Sequence, residues 1–110
     1  MVKNKSEIKN IVNTVVAALK AKGVKVNRII LYGSYAEGNP KSYSDIDLAV
    51  ISPTFNNKGL LKRQELLGEA IFPLGEPIEA LGYSCKEFKN PPALSFLSEI
   101  IANGKIVYRG

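Results

Sequence analysis

Ser44-Asp45-Ile46-Asp47-Leu48 sets two carboxylates one residue apart at the head of an apolar run that continues to Ile51. An extended chain alternates its side chains, so Asp45 and Asp47 share one face, roughly 6.5–7 Å apart along the backbone. Ile46, Leu48 and Val50 take the opposite face and need a core. The segment therefore demands a strand covered on one side and functional on the other. Two like charges fixed side by side repel, and a fold rarely keeps them without a cation to neutralise them.

The rest of the chain supplies the cover. Asn4 followed by Glu7 is a capping-box pattern, Ile8, Ile11, Val12, Val15 and Leu19 repeat at helical spacing, and Gly23 stops the helix. Val26 to Tyr32 reads as a first strand. Gly33 to Gly38 is a turn able to open a short helix, closed by Asn39-Pro40. Asp45 to Ile51 is the second strand, ended by Ser52-Pro53. Lys58 to Phe72 reads as a second long helix, with Leu60, Leu61, Gln64, Leu67 and Ile71 on one face and Lys62, Arg63 and Glu69 on the other. Pro73 and Gly75 break it. Pro77 to Tyr83 is a third strand, Ser84 to Glu87 a second capping box, Pro92 to Asn103 a helix, and Lys105 to Arg109 a last short strand. The order is α-β-(α)-β-α-β-α-β: residues 1–110 are expected to form a single α/β (α+β) domain, a small mixed sheet with helices packed against it.

Absences narrow the chemistry. With no His and one Cys, the chain has no Ser-His-Asp triad, no HExxH zinc site and no CxxC pair. Catalysis must run on carboxylates, hydroxyls, amines, backbone N–H groups and oxygen-bound metals. Cys85 reads as a small packing residue. The net charge of +5 suits a polyanionic ligand but is spread without a dense block. No signal peptide or spanning run is evident, which makes the cytoplasm the expected address and a membrane role unexpected.

Leu31-Tyr32-Gly33-Ser34 is a strand that ends in glycine where a helix can start. Such a junction offers free N–H groups and the positive end of a helix dipole to a phosphate. It is equally the form of a plain strand-to-helix turn with a serine cap. Gly33 to Gly38 has the first half of a P-loop spacing, but Asn39-Pro40 stands where Lys-Ser/Thr is required, which excludes a P-loop ATPase. A phosphate seat followed by Ser44-Asp45-x-Asp47 places a triphosphate cradle beside a carboxylate pair. Hard oxygen ligands favour Mg²⁺ or Mn²⁺. The chemistry that needs this layout is nucleotidyl transfer, with two ions roughly 3.5–4 Å apart.

Gly33-Ser34-x-Ala36-x-Gly38 with Ser44-Asp45-Ile46-Asp47-Leu48 resembles the signature of the minimal nucleotidyltransferases of the DNA polymerase beta superfamily. The resemblance runs through the third strand to the Leu94–Tyr108 segment. It implies a nucleotidyltransferase fold that binds a nucleoside triphosphate, ATP being the one expected, with Gly33, Ser34 and Ser44 at the nucleotide. It implies Asp45 and Asp47 as metal ligands and catalytic residues. The family's third carboxylate is usually Asp; the matching position is Glu79, one methylene longer, as metal ligand or proton acceptor. The family also often carries basic residues in the Gly-Ser loop, where this chain has Tyr35 and Glu37. Lys41, Lys62 or Arg63 would then offset the phosphates. Tyr32, Tyr35 and Tyr43 are candidates to stack on a base or simply to pack.

Small members of this family resemble the antitoxin half of two-component modules whose other half is a helical HEPN RNase. The resemblance thus implies AMP transfer to a hydroxyl on a HEPN-like protein partner. The alternative is a weak or inactive nucleotide-binding antitoxin that silences its partner by occlusion. At 110 residues no second domain is expected to grip an acceptor, so another chain or self-association must supply that side. Nucleic acid is not the expected direct substrate.

Overall fold

The computed structural model describes residues 2–110. Helix α1 (Lys5–Ala21) begins where Asn4 Oδ1 accepts from the Glu7 N–H at 2.8 Å and Glu7 Oε1 accepts from the Asn4 N–H at 3.0 Å. These reciprocal bonds satisfy two otherwise orphaned donors, an arrangement worth about 1 kcal/mol. The chain then runs β1 (Arg28–Tyr32), α2 (Ser34–Glu37), β2 (Ile46–Ser52), α3 (Leu60–Ile71), β3 (Ile78–Ser84), α4 (Cys85–Lys89), α5 (Phe96–Asn103) and β4 (Lys105–Arg109).

The four strands form one mixed sheet in the order β3-β2-β1-β4. β1 is antiparallel to β2 and to β4, while β2 and β3 are parallel. A parallel pair requires a crossover, here supplied by α3 between two 3-10 turns, Pro53–Asn57 and Phe72–Leu74. One sheet face lies under α1 and α3. There Ile29, Ile46, Leu48 and Val50 are fully buried with Val15 and Leu19 of α1 and Leu67 of α3. Each such side chain contributes roughly 1.5–3 kcal/mol on leaving water. The other face is lightly covered: Ile30, Ala49 and Ile51 lie beneath Ile100 of α5. Gly82 in β3 lets Phe55 of the first 3-10 turn reach the sheet, since a β-carbon there would lie 2.8 Å from the Phe55 ring. Among the described residues no helix is long and apolar enough to cross a membrane.

The mixed sheet, its helical cover and the burial of Ile46, Leu48 and Val50 match the expectation from sequence, and β4 has the expected bounds. Three readings need correction. The 3-10 turns and α4 are additional elements, and the last helix starts at Phe96 rather than Pro92. Ser95 caps it by accepting from the Ser98 N–H, whereas the prolines at 91 and 92 stay outside. Helix α3 buries Leu67 and Ile71 as expected, but not Leu60, Leu61 or Gln64, and it turns Arg63 inward. Leu60 and Leu61 are 70% and 76% exposed, and the inward stripe is Arg63, Leu67, Ala70 and Ile71.

Candidate active site

The site is built where β1 ends and β2 and β3 begin. At the β1–α2 junction Gly33 has φ +73° and ψ −154°, a backbone region essentially closed to other residues. Its carbonyl accepts from the Ala36 and Glu37 N–H groups, both at 3.0 Å, which folds the chain into α2. Buried Ala36 anchors that short helix to the core. A β-carbon at Gly33 would collide with Asp47 Oδ2 and stand 3.1 Å from Asp47 Cγ. The glycine therefore exists to admit the aspartate.

Register brings the acids together. Tyr32 of β1 is opposite Asp47 of β2, and Asp47 is opposite Glu79 of β3. Opposed residues share a sheet face, so Tyr32, Asp47 and Glu79 form a row across three strands. Asp47 is half-buried, while Asp45 and Glu79 are exposed. Burial pushes the Asp47 carboxyl up to about 6, and the charges of Glu79 and Asp45 with a hydrogen bond to Glu79 push the same way. Two carboxyl groups can share a hydrogen bond only through a proton. Burial also raises the Tyr32 phenol well above its ordinary range, helped by the charges of Asp47, Tyr83 and Glu79. Ionisation of Asp47 and of Tyr32 is opposed by burial and by the neighbouring acids. The site is an anionic pocket short of positive charge.

Asp47 and Glu79 thus face each other across paired strands, and Asp45, just before β2, acts on Asp47 through its field. Among the described residues no group of three His, Cys, Asp or Glu side chains is drawn into one metal-sized cluster. The donors that converge are all carboxylate oxygens, the set that suits a hard divalent cation. Ser34 is the first residue of α2, half-buried beside Gly33. Ser44 lies in the loop before β2, where its Oγ accepts from the Lys41 N–H at 2.8 Å and fixes the turn that delivers Asp45.

Two of the basic residues expected to face phosphates, Arg63 and Lys62, are elsewhere. Arg63 is pinned behind β3: its guanidinium donates to the carbonyls of Lys58, Phe55 and Gly82 and pairs with Glu87 at 2.7 Å. Lys62 pairs with Glu65 on the exposed side of α3. A cleft of about 170 Å³ beside Gly33 is lined by Tyr32, Glu37, Glu99 and Asn103, with no cation among them. A larger cleft of about 740 Å³ runs along β3 and meets the acids at Tyr32 and Glu79. Of the tyrosines, Tyr43 is 80% exposed. The Tyr35 hydroxyl accepts from the Lys3 N–H. Tyr32 stacks edge-to-face on Phe96 at 5.6 Å. The place of Tyr32 in the acid row was hidden in the sequence, because only the register of β1 against β2 creates it.

Residues 12–107 match the family described as Nucleotidyltransferase domain. Among solved structures, the chain is similar to a protein of Sulfolobus solfataricus described as a nucleotidyltransferase, at TM-score 0.60 and 16% identity, over 99% of this chain and 92% of that one. It is also similar to a toxin-antitoxin structure with AMP-PNP, at TM-score 0.60 and 22% identity, over 89% and 73%. A third is a toxin-antitoxin structure, MntA-HpeT, bearing two aspartate-to-glutamate substitutions, at TM-score 0.57 and 20% identity, over 89% and 73%. At these identities the three describe the fold alone. No curated protein matches the sequence.

Proposed function

The chain belongs to the nucleotidyltransferase domain family, and from that premise we propose that it transfers AMP from ATP to a hydroxyl on a partner protein. The observation that carries the reading is the carboxylate of Asp47 lodged against Gly33 with Glu79 across from it. Gly33, Ser34 and Ser44 hold the nucleotide, with the phosphates close to the backbone where a side chain at 33 would intrude. Asp45, Asp47 and Glu79 hold divalent cations, Mg²⁺ or Mn²⁺. When bound, those ions screen the phosphates and stabilise the pyrophosphate that leaves. The acceptor oxygen bonds to the α-phosphorus, the bond to the bridging oxygen breaks, and pyrophosphate departs. Glu79, at the exposed end of the row, takes the acceptor's proton.

The lack of cations beside Gly33 supports a strict dependence on metal, since no side chain there offsets the triphosphate. A protein acceptor is supported by the likeness to toxin-antitoxin structures, one of them with AMP-PNP. The helical HEPN-type partner is the occupant this reading favours. A second reading rests on Glu79: the longer acid and the bare loop suit a nucleotide-binding antitoxin that silences its partner by covering it. The two separate in one experiment. The protein is mixed with Mg²⁺, α-labelled ATP and the product of the adjacent reading frame, and the product is weighed. A mass gain of one nucleoside monophosphate, absent with Asp47→Asn, supports transfer. Tight complex formation without label supports occlusion.

A further inference from the structure

The two edges of the sheet are finished differently. On the β3 edge the outward carbonyls of Ala80 and Gly82 are taken by side chains of α3, Gln64 Nε2 at 3.3 Å and Arg63 Nη1 at 3.2 Å. On the β4 edge no side chain among the described residues bonds to the backbone of 105–109, although that strand pairs only with β1. An unpaired edge is a template for another strand. Beside it lies a groove of about 550 Å³ between α1, β4 and the turn after α2. Ile8, Leu31 and Val107 form its apolar floor, and Lys5, Lys9 and Lys105 stand along its rim. None of these three lysines forms an ion pair among the described residues, whereas the neighbouring Lys3 pairs with Glu76 at 3.6 Å.

We infer that this groove docks an acidic, extended segment of a partner protein, which adds to β4 as a further strand. Main-chain bonds to the free edge supply affinity, and alternate side chains meet the floor and the rim. Carboxylates at the rim would neutralise Lys5, Lys9 and Lys105, which now stand together unopposed. The same charges explain why the occupant is not a second copy. Lys105 and Arg109 on β4 would face their own counterparts if two such edges met. RNA fits less well, because the groove's one aromatic, Tyr35, has its hydroxyl engaged by the Lys3 N–H and is only partly exposed, leaving no open ring for base stacking. The inference does not depend on nucleotidyl transfer.

The test uses the full chain and blocked eight-residue peptides alternating glutamate with valine, lysine with valine, or glutamate with valine around a central proline. Binding is followed by fluorescence anisotropy, and amide exchange by NMR. The acidic peptide is expected to bind at least tenfold more tightly than the lysine peptide and to slow exchange at 105–108 at least tenfold. The proline peptide should lose that protection. The triple variant Lys5→Glu, Lys9→Glu, Lys105→Glu should lose at least tenfold in affinity while keeping its melting transition, since all three side chains are exposed. Lys20→Glu with Lys22→Glu, at the far end of α1, should change nothing. Equal binding of acidic and basic peptides, protection elsewhere in the sheet, or tighter binding of oligouridylate to the same groove would overturn the proposal.

Discussion

The carboxylate of Asp47 lies against the α-carbon of Gly33, so closely that no β-carbon fits between the two residues. Position 33 is therefore constrained twice, by its backbone angles and by its neighbour. Gly33→Ala is expected to cost about 2 kcal/mol or more in urea unfolding and to abolish transfer. Gly68→Ala is the matched control: nothing lies within 4 Å, α3 is helical there, and a stabilisation of about 0.5–1 kcal/mol is expected. Equal losses in the two variants would contradict the contact.

Asp47 should weaken the free protein it serves. Its pKa is raised from 3.8 to about 6, so the folded state holds a proton that the unfolded chain releases. Stability from this group is then lost as pH rises from about 4 to about 6. Asp47→Asn removes the loss. At pH 7.5 without metal, the variant should melt higher by the equivalent of about 1 kcal/mol after allowance for solvent screening. At pH 4 the two proteins should nearly coincide.

Cation binding follows the opposite course. The proton on Asp47 competes with any divalent ion at the same oxygens. Titration calorimetry with Mn²⁺ should show affinity rising between pH 5 and pH 7 and levelling above that, with a proton released in the lower part of the range. A flat profile would remove Asp47 from the ligand set.

Glu79 discriminates transfer from occlusion. Glu79→Gln should lower transfer by roughly 10²-fold, the usual scale for losing a positioned base or ligand. Glu79→Asp keeps the charge on a shorter arm and should retain measurable activity. Complex formation with the partner should survive both changes, because the residue lies at an exposed strand position.

Arg63 is a structural clamp. Burial alone would raise the Glu87 pKa, but the Ser84 backbone N–H, the Arg63 guanidinium and the Ser84 hydroxyl outweigh it and hold that carboxyl below its usual range. The stability it contributes is present above the ordinary carboxylate range and lost as pH falls through the depressed value. Arg63→Ala strands three carbonyls and Glu87 and should cost about 2–3 kcal/mol. Arg63→Lys should recover little, because one ammonium cannot reach acceptors spread over three segments. Denaturant melts at pH 7 and pH 4 read both effects.

Much of this was legible beforehand because strand alternation and helix caps are local signals. Asp45 and Asp47 against Ile46, Leu48 and Val50 declared a covered strand, and Asn4 with Glu7 declared the start of α1. Arg63 shows where such reading stops. A charged residue four before Leu67 looks solvated, and only the meeting of Lys58, Phe55, Gly82 and Glu87 makes the inward side favourable. Tyr32 escaped for a related reason: its neighbours come from strand register, which no short window of sequence contains. The start of α5 turned on Ser95 as cap, a choice between nearby breakers that local composition leaves open.

The parallel pairing of β2 with β3 has a consequence for the order in which the molecule assembles. A hairpin could have joined Asp47 to its acidic neighbour early, but a crossover cannot. Asp47 and Glu79 are separated in sequence by the whole crossover and can meet only when β3 pairs beside β2. Their mutual repulsion is thus absent until that long-range pairing forms, so it does not oppose local collapse around α1, β1 and β2.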